Sequence, residues 1–187
     1  MKLPFDGPEN RVPDQGKRFD RPDDDVPAQG KPFDARIAEP PAPQGKPAER
    51  TIHRDVIAYI DGGARGNPGP AGFGVRVETR DGTPVAEFSE SIGIATNNVA
   101  EYRGLLAALT WARDHGADTL LVRSDSLLLV QQMLGNYKVK NAGLQALHAR
   151  ARLLSTALGR VSFEHVRRES NKHADRLANA AMDSASG

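Results

Sequence analysis

The distribution of proline divides this chain of 187 residues into two parts. Ten of the thirteen prolines lie before residue 50, and the others are Pro68, Pro70 and Pro84. Because proline lacks an amide hydrogen and fixes φ, helices and central strands tolerate few of them. We therefore expect residues 1–50 to form a disordered, proline-rich tail. Residues 51–187 are expected to form one folded domain, which is long enough to bury a core of ordinary size.

The tail contains an imperfect repeat of 14 residues. The stretch "VPDQGKRFD" at 12–20 returns as "VPAQGKPFD" at 26–34, and Phe5, Phe19 and Phe33 each precede an aspartate at equal spacing. One large apolar residue per repeat buries too little surface to offset the entropy of the chain. The composition predicts a solvated linker. The alternative hypothesis is a repeated linear motif that binds a protein partner through its phenylalanines.

The composition excludes several classes of protein. The chain has no cysteine, so it can form neither disulfide bonds nor thiolate-bound zinc sites. Its formal net charge is +1, so a basic surface for nucleic acid would have to be local. No apolar run approaches the roughly 18–20 residues that span a bilayer. The N-terminus also lacks the apolar segment of a signal peptide, and we expect no membrane association.

The hydrophobic pattern after the tail predicts elements in the order βββαβααβα. The predicted strands are 55–61, 71–79, 84–93, 118–125 and 161–166, and the predicted helices are 98–115, 126–134, 142–158 and 172–183. A three-stranded meander followed by alternating strands and helices is typical of an α/β fold with a mixed sheet. We therefore predict a mixed five-stranded sheet flanked by helices.

Four acids lie near the ends of these elements, and each has an ordinary structural explanation. Asp61 precedes two glycines, as turn residues often do. Glu101 follows Asn98 by three residues, which is the spacing of a capping box. Asp125 precedes a helix that it could cap. Asp175 lies in the first turn of the last helix, where the helix dipole favours an acid.

Taken together, the same acids favour a metal site. Asp61 and Asp125 end apolar strands, and α/β sheets place their sites at the carboxyl ends of strands. Glu101 lies on a helix whose other residues are mostly small and apolar. Converging carboxylates repel one another unless a cation neutralises them. Oxygen ligands without cysteine suit Mg²⁺ or Mn²⁺, and a pair of such ions serves in-line cleavage of phosphodiesters.

Four stretches resemble the motifs of the type 1 ribonuclease H family, in its short-loop bacterial and archaeal form. They are "YIDGGARGNPGPAGFGV", "TNNVAEYRGLLAAL", "VRSDSLLLVQQMLG" and "NKHADRLANAAM". The resemblance covers about residues 55–183. It implies the ribonuclease H-like fold for the domain. It also implies an endonuclease that cleaves the RNA strand of RNA/DNA hybrids and leaves 5′-phosphomonoesters.

The resemblance also implies a role for each acid. Asp61 bridges two Mg²⁺ ions, for which Mn²⁺ can substitute. Glu101 and Asp125 complete one site, and Asp175 helps to hold the other ion. A monomeric, cytoplasmic enzyme is implied as well. The alternative is a non-catalytic module on the same fold that binds nucleic acid.

Further positions match substrate contacts of the family. Asn67, Asn97 and Asn98 match polar contacts that can read the 2′-hydroxyl of RNA, and Thr96 matches a contact to a DNA phosphate. For Asn97 and Asn98, capping of the helix is the alternative explanation. The glycines and prolines around Asn67 are interpreted as a tight loop that lets a sugar-phosphate backbone approach.

The chain departs from the family pattern in two places. Leu127 stands where some members carry a glutamine that contacts the substrate. The long loop that brings an assisting histidine to the site in some members is short here. His165 lies on a predicted strand and is expected to be packed, and His173 points away from Asp175 on the helix. Our hypothesis is that a nearby residue partly substitutes for this histidine in product release. The candidates are Arg167, Arg168 and Glu169.

Overall fold

The computed structural model describes residues 55–184, so the predicted tail and its repeats lie outside the described residues. The predicted element order is confirmed in the described part. The strands are β1 (Asp55–Ala64), β2 (Gly69–Thr79), β3 (Pro84–Ala95), β4 (Thr119–Ser124) and β5 (Val161–His165). The helices are α1 (Asn97–Asp114), α2 (Leu127–Met133), α3 (Ala142–Leu158) and α4 (Lys172–Ser184), with a 3₁₀ turn at Arg168–Ser170.

The five strands form one mixed sheet in the order β3-β2-β1-β4-β5. β1, β2 and β3 are antiparallel neighbours, whereas β4 runs parallel to β1 and β5 runs parallel to β4. In the parallel pair, Ile60 of β1 lies opposite Ser124 of β4. The residue after Ile60 is Asp61, and the residue after Ser124 is Asp125. The register therefore brings these two aspartates together at the edge formed by the carboxyl ends of the parallel strands.

The main core lies between the sheet and helices α1 and α3. Alternate residues of β1 and β2 point to one face, as a half-buried strand requires, and α1 covers them with small and branched side chains. The buried members include Val56, Ala58, Ile60, Phe73, Val75, Val77, Leu105, Ala108 and Leu109. Within residues 55–184, no helix is both long and apolar enough to cross a membrane.

The glycine-rich stretch forms a hairpin, and β1 and β2 extend further into it than the predicted strands 55–61 and 71–79. β1 continues through Gly62 and Gly63, and β2 begins at Gly69. A Cβ on Gly62 would clash with the backbone of Ala100 and Glu101 in α1. The absence of a side chain at Gly62 therefore allows α1 to approach the strand closely.

A glycine also allows close helix packing on the opposite face of the sheet. A Cβ on Gly74 of β2 would clash with the backbone of α4 at Ala174 and Ala178. The absence of a side chain at Gly74 therefore sets how closely α4 packs on the sheet. Both helices that carry acids of the predicted site, α1 and α4, are positioned by glycines in the β1–β2 hairpin.

We expect Gly62→Ala to destabilise the fold by about 2 kcal/mol, since overpacking a rigid contact forces the backbone to shift. The neighbouring Gly63→Ala is the matched control, because its Cβ would meet only the flexible end of the Met182 side chain. Urea unfolding of the two variants measures the difference. Equal stability of the two would show that the contact between β1 and α1 gives way without cost.

Candidate active site

Four acids come together at one edge of the sheet, each from a different element. Asp61 lies in β1 and Asp125 directly follows β4. Glu101 lies in the second turn of α1, and Asp175 lies in the first turn of α4. All four side chains are half-buried. The structure therefore gathers the residues that the sequence analysis proposed as metal ligands.

The ordinary explanations fail for three of the acids. Thr96, and not Asn98, is the N-cap of α1, so Glu101 is not the partner in a capping box. Ser126 caps α2 through its side-chain oxygen, so Asp125 is not the cap. Asp61 lies within β1 and not in a turn. Asp175 lies in the first turn of α4, as predicted. A favourable interaction with the helix dipole therefore still explains an acid at this position.

Burial and the charges of neighbouring acids raise the pKa values of two of the four carboxyl groups. Burial, followed by the charges of Asp125 and Asp175, raises the pKa of Asp61 to about 7. Burial also raises the pKa of Glu101 to about 8, and Asp61 and Asp125 add to the rise, against a hydrogen bond from Ser126. Acids that influence one another in this way face a common centre. Negative charge at that centre is unfavourable until a cation compensates it.

Asp175 is held by its neighbours in a defined orientation. The Arg168 guanidinium donates from Nη2 to Asp175 Oδ1 over 2.9 Å. The Asn179 side chain donates from Nδ2 to the Asp175 carbonyl oxygen at 2.8 Å and to Oδ2 at 3.2 Å. Arg168 is 76% exposed, so its charge lies at the mouth of the site and not beneath it. Three residues were proposed to substitute for the assisting histidine. Of these, Arg168 contacts one of the four acids directly.

Asn171 is a residue of the site that the sequence analysis missed. Its side chain is buried and donates from Nδ2 to the backbone oxygen of Ile60 and to Asp125 Oδ1, both at 2.9 Å. The only signal in the sequence is an asparagine immediately before a helix, which indicates a cap and nothing more. The contacts with residues 60 and 125 depend on the tertiary fold.

The donor set fits hard divalent cations. The four acids offer carboxylate oxygens, which are the ligands that Mg²⁺ and Mn²⁺ prefer. Within residues 55–184 no three histidine, aspartate or glutamate side chains lie close enough together to hold a metal ion in the present geometry. Asp125 and Asp175 instead each accept a hydrogen bond, from Asn171 and Arg168 respectively.

The predicted substrate contacts lie together where the β1–β2 hairpin meets the start of α1. Asn97 Oδ1 accepts from the amide of Ala64 at 2.7 Å, and the Asn97 amide donates to Asn67 Oδ1 at 3.2 Å. Asn97 therefore does more than begin a helix, since it joins the hairpin to α1. Asn98 lies three residues before Glu101 on the same face of α1. Thr96 uses its Oγ1 as the acceptor of the cap, at 3.4 Å from the Val99 amide.

The prediction that His165 is packed is wrong. β5 ends at His165, whose side chain is exposed, and its Nε2 lies 3.2 Å from the backbone oxygen of Asp125. The strand pattern placed the residue correctly, but β5 is an edge strand and gives its last residue little cover. His173 is exposed in the first turn of α4, and Leu127 is exposed at the first position of α2.

The profile of the family described as reverse transcriptase-like matches residues 59–181, which is more than half of the chain. The ribonuclease H of Verminephrobacter eiseniae is 33% identical over 149 residues, which cover 71% of this chain and 93% of that protein. The chain belongs to the ribonuclease H family. The matched region includes all four acids.

Other relatives are more similar in sequence but longer. The bifunctional protein Rv2228c of Mycobacterium tuberculosis is 51% identical over 131 residues, which cover 70% of this chain and 36% of that protein. Ribonuclease HI of Halobacterium salinarum is 46% identical over 130 residues, which cover 70% of this chain and 65% of that protein. The matched part thus spans about a third of the length of Rv2228c.

A solved structure agrees with the ribonuclease H fold. LC11-RNase H1 in complex with an RNA/DNA hybrid is 42% identical and superposes with a TM-score of 0.68, over 71% of this chain and all of that one. The predicted ribonuclease H-like fold, with its mixed five-stranded sheet, is therefore confirmed.

Proposed function

We propose that this chain is an endonuclease that hydrolyses the RNA strand of RNA/DNA hybrids and leaves 5′-phosphomonoesters. The observation that carries the proposal is the meeting of four acids from β1, α1, β4 and α4 at one edge of the sheet. Burial, and after it the charges of neighbouring acids, raises the pKa values of Asp61 and Glu101. A module that only binds nucleic acid, itself a polyanion, gains nothing from such a cluster of carboxylates.

The proposed cofactor is Mg²⁺, as two ions, with Mn²⁺ as a substitute. The residues that would hold them are Asp61, Glu101, Asp125 and Asp175. When bound, such ions activate the attacking water and stabilise the leaving oxygen of a phosphodiester. The residues of the chain contribute the placement of the four carboxylates, the partial burial that excludes bulk water and the cation of Arg168 at the mouth.

The proposed substrate is an RNA/DNA hybrid, in keeping with the hybrid in the LC11-RNase H1 complex. Asn67, Asn97 and Asn98 would contact the strands near the 2′-hydroxyl, and Thr96 would contact a DNA phosphate. In Asn67 and Asn97 the side-chain oxygens are engaged within the protein, so the amide hydrogens are the groups left to offer a substrate. Thr96 Oγ1 accepts from the Val99 amide, so its hydroxyl hydrogen is the group that it can donate to a substrate.

A panel of labelled substrates tests this proposal. Wild-type protein is incubated with Mg²⁺ or Mn²⁺ and an RNA/DNA hybrid, double-stranded RNA, or a DNA duplex with a single ribonucleotide. We expect cleavage of the hybrid that depends on the metal. Binding of the hybrid without cleavage in either metal would favour the alternative, a non-catalytic module on the same fold.

Arg168 is proposed to take over the assisting role in this short-loop chain. We expect Arg168→Ala to lower kcat for hybrid cleavage about tenfold, because a hydrogen bond from a charged group is worth roughly 1.5 kcal/mol or more. Steady-state kinetics measure kcat and KM, with Arg160→Ala as a matched control on an exposed arginine before β5. An unchanged kcat would remove Arg168 and leave Arg167 and Glu169 as candidates.

Three further features are proposed for the whole protein. It acts as a monomer, it is cytoplasmic, and the repeats in residues 1–50 bind a protein partner through their phenylalanines. Removal of residues 1–50 should abolish capture of that partner and leave hybrid cleavage intact. Identical sets of captured proteins with and without the tail would favour the linker interpretation instead.

A further inference from the structure

Asn171 is placed where a helix cap belongs, yet its side chain does not cap the helix. It immediately precedes α4, and its backbone oxygen accepts from the Asp175 amide at 3.1 Å. An asparagine at this position ordinarily accepts from an amide of the first turn through Oδ1. Asn141 before α3 does so, with Oδ1 3.2 Å from the Leu144 amide. In the described part of the chain, no hydrogen-bond donor reaches the buried Asn171 Oδ1.

The amide group of Asn171 is turned toward the acids instead. Nδ2 donates to the Ile60 backbone oxygen and to Asp125 Oδ1, at 2.9 Å each. Both partners are acceptors, so a flipped amide would set Oδ1 against two oxygens and lose both bonds. The observed orientation is therefore the one that the surroundings impose. This orientation leaves Asn171 Oδ1 buried without a hydrogen-bond donor from residues 55–184. Proteins seldom keep such an unsatisfied acceptor unless the group has another role.

We propose that Asn171 is a positioning residue, whose amide holds the Asp125 carboxylate at a fixed place relative to the end of β1. Ile60 directly precedes Asp61, so one amide ties together the two strand ends that present Asp61 and Asp125. The bond to Oδ1 sets the rotation of the Asp125 carboxylate and hence the position of its second oxygen. This inference rests on the proposed function, because it assigns Asn171 to the support of a metal ligand.

Two substitutions separate positioning from stability. Asn171→Ser removes the bridge but supplies a side chain that caps helices well, so the fold should keep its stability. Asn171→Ala removes both the bridge and any cap. Asn141→Ala is the matched control, since it removes an asparagine that caps α3 away from the acids. Thermal unfolding of all three variants ranks their stability.

Mn²⁺ affinity is then measured by calorimetry well below the unfolding midpoint, and kcat and KM are measured with the hybrid. We expect both Asn171 variants to bind Mn²⁺ about 10- to 100-fold more weakly, as losses of groups that orient metal ligands do. The Mg²⁺ concentration for half-maximal cleavage should rise in parallel, with little change in KM for the hybrid. Asn141→Ala should lose stability and retain its Mn²⁺ affinity.

A result of unchanged Mn²⁺ affinity in both Asn171 variants, with wild-type cleavage intact, would overturn the positioning role alone. Weaker binding in Asn171→Ala but not in Asn171→Ser would also overturn it, because loss of the bridge is common to both. Wild-type protein that neither binds Mn²⁺ nor cleaves the hybrid would overturn the proposed function and this inference with it.

Discussion

Replacement of Asp61 by asparagine is expected to lower the rate of hybrid cleavage in Mg²⁺ by about 1000-fold or more. Asp61 is the acid most central to the cluster, since the charges of Asp125 and Asp175 both raise its pKa and Glu101 responds to it. An amide cannot supply the charge that a pair of cations needs at this position. A metal ion contributes several kcal/mol to such a reaction, which corresponds to a factor of this size.

Asp114→Asn is the matched control for this substitution. It makes the same change of an acid to its amide, at an exposed position near the end of α1. Cleavage of a labelled hybrid in Mg²⁺ is compared for wild-type protein and the two variants, together with their thermal unfolding. The control should cleave at the wild-type rate. Cleavage by Asp61→Asn within about tenfold of wild type would show that Asp61 is not a ligand on which the reaction depends.

The outline of this site can be predicted from the sequence because it depends on local patterns and one rule of topology. Two apolar runs end in Asp61 and Asp125, and adjacent parallel strands bring their carboxyl ends together. The helical period of α1 and α4 places Glu101 and Asp175 within one or two turns of the helix starts. The pairing of β1 with β4 is the long-range contact that these steps require.

The rest of the site depends on contacts across the fold, which no local pattern encodes. Gly62 resembles a loop residue in the sequence, but it is a strand residue whose missing side chain makes room for α1. Asn171 has the appearance of a cap, yet its amide reaches residues 60 and 125. His165 has the pattern of a packed strand residue, and its exposure follows from the place of β5 at the sheet edge.

The metal-free protein is expected to lose stability as the pH rises from about 4.5 to about 8, because Glu101 and Asp61 are harder to ionise in the fold than in the unfolded chain. Below the pKa of the unfolded chain, both states carry the protons and there is no difference between them. Above the raised pKa of the folded state, both states are ionised, and the cost of burying the two charges near other carboxylates opposes folding in full. Between these limits the folded state holds more protons, so a rise in pH favours unfolding.

Glu101→Gln should remove much of this slope. At about pH 9 and in a chelator, we expect the variant to be more stable than wild type by about 3 kcal/mol, from a pKa shift of a few units at a half-buried site. At about pH 4 the two proteins should be nearly equal in stability. Urea unfolding across this pH range measures the difference, and Asp114→Asn again serves as the control.

Divalent cations should reverse the ranking of the two proteins. If Mg²⁺ is the cofactor as proposed, it binds the folded state, and it should stabilise wild-type protein in proportion to its occupancy. The stabilisation should be greater at high pH, where the acids are ionised, than at low pH. Glu101→Gln should gain little from Mg²⁺, because it lacks one of the carboxylates that are proposed to hold the cation. If Mg²⁺ stabilised both proteins equally at high pH, Glu101 would not be one of the ligands. The clustered charge of the site is thus a source of instability that the bound cofactor is expected to remove.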